Sequence, residues 1–252
     1  MATPLRTPHI AACGLGGCAL ALIISTAAAQ LRAADGPLQR SRATYASLKS
    51  YADTGTVDFE FGPAASPIHE RHRFTTYFRA PRHFYFDFVK QQNVDRFVVW
   101  ADDEAFHSWW QQPGLTETYP KGQGSTAFVT GSVPTLHAIT LVPALLFSQA
   151  RLAGTLTEIV DPTSAGTEPI NGRPCFKITG TAKSVYQASG HETNIRKTIV
   201  WIDTESLLVR RVFEEMQGGA AVNVSRTTTT IDPQANPTLD DSRFKFTPAR
   251  SK

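Results

Sequence analysis

Cysteine is scarce in this chain of 252 residues: there are three, and two of them, Cys13 and Cys18, fall within the first 29. Those 29 residues read as a secretory signal. Arg6 is the positive start, Ala19 to Ile24 the apolar middle, and Ala27-Ala28-Ala29 before Gln30 the small-residue cleavage site. Cleavage there leaves Cys175 alone, so no internal disulfide can form. An exported yet unbridged chain suits a bacterial periplasm better than a small disulfide scaffold. Charge of one sign is also lacking. Against 25 basic residues stand 22 acidic ones, and Arg6 supplies part of the formal +3, too little to argue for nucleic acid or an anionic surface as partner.

Patterns that carry chemistry are equally thin. His69 and His72 lie three apart on a predicted strand, where side chains alternate faces, so they do not meet easily at one metal ion. Gly122-Gln-Gly-Ser125 lacks the glycine two residues after serine that a nucleophile elbow needs, and reads as a flexible loop. Cys175 sits in an alternating apolar strand, as a small buried hydrophobe does. The carboxylate pairs Asp102-Asp103, Glu214-Glu215 and Asp240-Asp241 sit in turns or strand ends, where solvated charge is the default. Nothing supplies a metal, a cofactor site, an activated nucleophile or an acid/base pair, so a hydrolase or isomerase built from scattered residues such as His107 or Asp87 is the least favoured class. Leu15-Gly-Gly-Cys18 looks like a lipid-attachment box, but the apolar run continues past Cys18, which makes anchoring there the lesser alternative to cleavage near Ala29.

What is present is β-alternation and one apolar run. Val57, Phe59 and Phe61 alternate with Asp58 and Glu60. Phe74, Thr76 and Phe78 oppose Arg73, Thr75 and Tyr77, and after Ala80-Pro81 come Phe84, Phe86 and Phe88. Three consecutive strands thus turn phenylalanine to one face. Asp95 to Trp100 and Ala105 to Trp110 read as a hairpin, and further strands are expected at Thr155–Val160, Cys175–Thr181, Lys197–Ile202, Leu207–Glu214 and Val222–Ile231, with turn chemistry at Asn171-Gly172, Asp203 to Ser206 and Gly218-Gly219. Leu38 to Ser50 reads as an amphipathic helix with a narrow stripe of Leu38, Tyr45 and Leu48. The apolar run from Gly131 to Ser148 places Leu136, Ile139, Val142, Leu145 and Leu146 at helical spacing, with Ser132 as cap, Pro134 in the first turn and Pro143 breaking it into two short helices. With two prolines and His137 it is too short and interrupted to cross a bilayer core of roughly 30 Å, so it must bury itself in protein. The fold class expected is mainly β (α+β). One domain over 30–252 forms an unclosed antiparallel β-barrel, a curved half-barrel, with short helices plugging its concave apolar face.

Phe78-Arg-Ala-Pro-Arg-His-Phe-Tyr-Phe-Asp-Phe88 resembles the segment of LolA-type periplasmic lipoprotein carriers in which a basic-proline turn leads into an aromatic strand. Val98 to Trp109 resembles the family's next hairpin, the apolar run after Ser132 sits where its lid helices sit, and Phe244-Lys-Phe-Thr-Pro248 resembles its closing strand. The resemblance implies a hydrophobic cavity that binds acyl chains of lipid or lipoprotein. Its wall would be Val57, Phe59, Phe74, Phe78, Phe84, Phe86 and Phe88, and its lid Leu136, Ile139, Val142, Leu145 and Leu146. It further implies a non-catalytic, monomeric carrier without cofactor or metal. The alternative is an interaction or sensory module of the same fold that meets an envelope membrane protein. One departure stands out: the carriers place arginine directly before the turn proline to latch the lid, whereas here Ala80 holds that position and Arg79, the possible latch, lies one residue earlier and points to the other face.

Overall fold

The computed structural model describes residues 36–90, 95–102, 104–112, 114–120, 123–132, 134–147, 155–183, 195–217 and 223–248. The signal segment with Cys18 and the Gly218-Gly219 turn lie outside them. After a first helix α1 (36–47) the chain runs through β1 (Ser50–Pro63), β2 (Ile68–Arg79), β3 (His83–Lys90), β4 (Arg96–Ala101), β5 (Ala105–Trp110) and β6 (Leu115–Pro120). Helices α2 (Gly124–Ser132) and α3 (Ala138–Leu146) follow. Then come β7 (Ile159–Ile170), β8 (Arg173–Lys183), β9 (Ile195–Asp203), β10 (Val209–Gln217), β11 (Asn223–Ala235) and a short 3-10 turn (Asp241–Phe244).

The eleven strands form one antiparallel sheet in the order β6-β5-β4-β3-β2-β1-β11-β10-β9-β8-β7. Two meanders, β1–β6 and β7–β11, are joined where β1 pairs with β11 along its length, from Tyr51↔Ala235 to Pro63↔Asn223. The sheet therefore has two free edges, β6 and β7. Because the chain must pass from one edge to the other between these strands, the α2–α3 segment spans the open side. That connectivity is what places a plug over the concave face. The mainly β half-barrel with helices in its concavity is the architecture that the sequence implied.

Both edges carry features that discourage pairing with another sheet. β7 holds Pro162 and Pro169 and has register shifts at Val160/Thr163 and Ser164/Thr167. β6 is six residues long and turns the charged Glu117 toward the concave side, where it accepts the Tyr119 hydroxyl. These traits explain why both strands are missed in the sequence. The residues of β7 expected as Thr155–Val160 are mostly turn, and the strand itself extends to Ile170 through loop-like Asp161-Pro-Thr-Ser-Ala-Gly.

Three further expectations need correction. Pro143 does not divide the apolar run but sits inside α3. The break falls at Leu136-His137, whose φ values of 50° and 67° are left-handed and cannot continue a helix. Ser132 closes α2 instead of capping a helix at its start, and the loop expected at Gly122–Ser125 runs into α2 from Gly124. Finally, Phe244 to Pro248 adds no strand: after the 3-10 turn it crosses the convex face, held by side chains.

Candidate ligand-binding site on the concave face

Antiparallel register arranges the inward side chains in rows across the sheet. One row runs Tyr51, Phe78, Phe84, Ala101, Phe106, Tyr119. The next runs Asp53, Thr76, Phe86, Val99, Ser108, Glu117, and the third Gly55, Phe74, Phe88, Phe97, Trp110, Leu115. Period-two alternation on five strands thus converges on an aromatic wall. Gly55 is required by it: a Cβ there would fall 2.1 Å from Cζ of Phe74, whose ring lies over the bare backbone of its register partner.

Against this wall sits the plug. Every residue of α3 is buried. Phe147, just beyond it, meets Phe78, Phe84, Phe106 and Phe128 with ring centroids 5.2 to 5.7 Å apart. Close approach at the end of α2 depends on Gly131, where a Cβ would fall 2.6 Å from Cε1 of Phe97. The backbone hydrogen bonds given by residues 131–147 stay within that segment, for instance His137 N–H to Ser132 O at 2.7 Å and Phe147 N–H to Pro143 O at 3.2 Å. Side-chain packing and the chain's own ends hold the plug in place. Helix α1 covers the other half of the concavity: Tyr45 is buried and its Oη accepts the Val209 N–H at 3.1 Å.

Of the residues expected to form wall and lid, Val57, Phe74, Phe78, Phe84, Phe86, Phe88, Ile139, Val142, Leu145 and Leu146 share one buried cluster. Leu136 packs against it partly exposed, and Phe59 is half-buried beyond the plug, stacked on Phe61 at 4.8 Å. Sequence reasoning missed Phe128 and Phe147, although Phe147 stands in the same apolar run. It also missed Tyr45 as part of the cover.

Two polar groups lie within this apolar setting. Asp53 is 3% exposed, accepts the Tyr51 hydroxyl at 2.8 Å through Oδ2, and has no hydrogen-bond partner on Oδ1 among the described residues. Burial pushes its carboxyl from 3.8 up to about 7. His137, its Nδ1 2.8 Å from the Ser132 hydroxyl, is held neutral: burial and then the charge of Arg196 lower its pKa to about 3. Below the plug's edge, Arg196 on β9 and Glu214 on β10 form an ion pair at 3.4 Å, 2% and 4% exposed. The Thr155 hydroxyl donates to Glu214 at 2.8 Å. A pocket of about 190 Å³ opens there between the Leu136-His137 bend and the strands.

The possible latch, Arg79, lies on the convex face, as alternation from inward Phe78 demands. It pairs with Asp241 at 2.7 Å and stacks over Phe244 at 5.0 Å, so it engages the C-terminal tail and not the plug. Farther along that face Phe246 meets Trp100 and Trp109 at 5.0 and 5.3 Å. His107 is also outside, stacked on Trp100, with Nε2 2.9 Å from Asp102 and Nδ1 3.1 Å from the Thr118 hydroxyl. Asp87 is held by Arg96 through two hydrogen bonds of 2.7 and 2.6 Å. Cys175 is buried in a small convex cluster with Ile170 and Trp201. Among the described residues no group of three or more His, Cys, Asp or Glu is placed to hold a metal ion, and no helix is long and apolar enough to cross a membrane.

Solved structures with a similar course of the chain include a lipoprotein, LppX, of Mycobacterium tuberculosis, 17% identical with a TM-score of 0.46 over 83% of this chain and 98% of that one. A putative outer membrane lipoprotein-sorting protein domain from Vibrio parahaemolyticus is 8% identical with a TM-score of 0.35 over 86% and 97%. A LolA superfamily protein from Nitrosomonas europaea is 9% identical with a TM-score of 0.33 over 84% and 97%. No family model matches the chain, and no curated protein matches it by sequence.

Proposed function

We propose that this chain is a non-catalytic periplasmic carrier of acylated or otherwise apolar ligands, lipid or lipoprotein, which enter between the α2–α3 plug and the aromatic wall. The observation that carries this reading is the plug itself. It is an apolar element laid across an aromatic concavity, its backbone hydrogen bonds given within itself, on a bend where two successive non-glycine residues are left-handed. A residue in such a conformation stores on the order of 1–3 kcal/mol, which moving the plug can release.

The exchange is close to balanced. Re-exposing Ile139, Leu141, Val142, Leu145 and Leu146 forfeits roughly 10 kcal/mol at about 2 kcal/mol each. A twelve-carbon acyl chain taking their place recovers roughly 10 kcal/mol at about 0.8 per methylene. Strain at the bend and the entropy of capture then decide the equilibrium. An apolar chain therefore replaces the plug on the wall instead of adding to it. Envelope membrane proteins would deliver and accept the ligand, with the carrier monomeric between them.

Leu145→Arg tests this. A movable plug swings its new charge into water, so the sheet keeps its circular dichroism and cooperative unfolding while retention of a fluorescent fatty acid changes at least several-fold. If the domain unfolds and the wild type takes up no fatty acid or lysolipid, the plug is ordinary core and the carrier reading is wrong. Mass spectrometry of organic extracts from protein purified out of its own periplasm should show co-purified acyl lipid.

A further inference from the structure

The pocket of about 190 Å³ at the plug's edge has a chemistry distinct from the wall. It is bounded by the bend at Leu136-His137 on one side and by Arg196, Glu214, Thr227 and Met216 on the other. Register places Phe59, Thr227 and Glu214 side by side on β1, β11 and β10, and Arg196 opposite Met216 one row farther out. Met216 is exposed and Phe59 half-buried, so the pocket meets solvent on that side. It also continues the concave face that the plug covers, since Phe59 stands two residues from buried Val57 on the same face of β1.

Its charges cancel internally. Arg196 and Glu214 neutralise each other at 3.4 Å, and His137 carries none at neutral pH. A free carboxylate or phosphate entering here would have to share Arg196 with the Glu214 carboxylate, placing like charges together where water is scarce. An uncharged head meets no such repulsion. The guanidinium and the Thr227 hydroxyl can donate to an ester or amide carbonyl, and Glu214 can accept from a hydroxyl.

We propose that this pocket holds the uncharged, hydrogen-bonding head of an acyl lipid, a hydroxylated ester or amide of the glyceryl-ester kind, and discriminates against free carboxylate and phosphate heads. The inference rests on the carrier reading above and deepens it. Because Leu136 and His137 form both the pocket wall and the bend of the plug, a head bound here touches the segment that must move for the chain to enter.

The test is competition at pH 8 between a fluorescent acyl probe and two ligands of equal chain length, monomyristoylglycerol and myristate. Wild type should bind the ester at least tenfold more tightly. Glu214→Gln, which leaves the Arg196 charge uncompensated, should erase or reverse that preference. Should Glu214→Gln fold poorly, Thr227→Val, which keeps the strand and loses one hydroxyl, should weaken the ester several-fold and leave myristate unchanged. Equal binding of both ligands by wild type, or an ester preference untouched in the folded variants, overturns the head-group site and leaves the carrier reading standing. Binding of neither ligand nor probe overturns both.

Discussion

Replacing Asp53 by asparagine should make the protein more stable at pH 8, not less. Asp53 lies on β1 opposite Thr76 beneath the helical cover, and burial holds its pKa near 7 against 3.8 for an ordinary aspartate. A folded-state value raised above the unfolded one means that the native state binds the proton more tightly. The stabilising contribution is complete below about pH 4, is lost as pH rises toward 7, and stays lost above it. At about 1.4 kcal/mol per pH unit the loss approaches ~4 kcal/mol, an upper figure because water and side-chain relaxation reduce such penalties. Asparagine imitates the protonated acid: its carbonyl accepts the Tyr51 hydroxyl and nothing remains to ionise. The two proteins should therefore unfold at similar urea concentrations at pH 4 and diverge up to pH 7, with the variant's midpoint then higher by on the order of 1–2 M urea. The four tryptophans, all on sheet strands, report the transition by fluorescence. Carboxylates whose pKa is lowered in the fold, Asp203 and Asp102 among them, bend both curves alike at acid pH, so the difference isolates Asp53. A variant equal to or weaker than wild type at pH 8 would show that the ionised carboxylate is well solvated and refute the reasoning.

Gly55→Ala should cost about 2 kcal/mol or more, because the added methyl occupies the place of the Phe74 ring; a thermal midpoint within a degree of wild type would contradict that packing. Phe246→Ala should shift tryptophan emission to the red as Trp100 and Trp109 lose their cover and lower stability by about 1 kcal/mol, yet leave ligand uptake unchanged, since the tail lies on the opposite face from the plug. Intact mass of the exported protein should begin at or near Gln30, and a diacylated start at Cys18 would replace the soluble carrier by an anchored receptor.

Strand character in the centre of the sheet was legible from local spacing because those strands are wet on one side and dry on the other, so Phe84, Phe86 and Phe88 alternate with Tyr85 and Asp87 without ambiguity. The same rule failed at the two edges. β6 and β7 bury little on either face and carry turn residues and an inward charge, the marks of an edge and not of a loop. The apolar run at 131–148 announced a buried helix, since nothing else can hide so much apolar surface in so few residues. Its division at Leu136-His137 instead of Pro143 did not show, because left-handed backbone at leucine and histidine is imposed by the surroundings and has no composition of its own.

The sequence by itself thus determined a mainly β chain with an aromatic face and one apolar insert to cover it. Only the tertiary structure decided what stands opposite what. The pairing of β1 with β11 across the whole chain puts the free edges at β6 and β7 and obliges the segment between them to cross the concavity. That same long-range register brings Arg196, Glu214 and Thr227 from three strands to the plug's edge and sends Arg79 to the tail. Periodicity records which face a side chain takes, but its neighbour on that face is set by a strand that can lie nearly two hundred residues away.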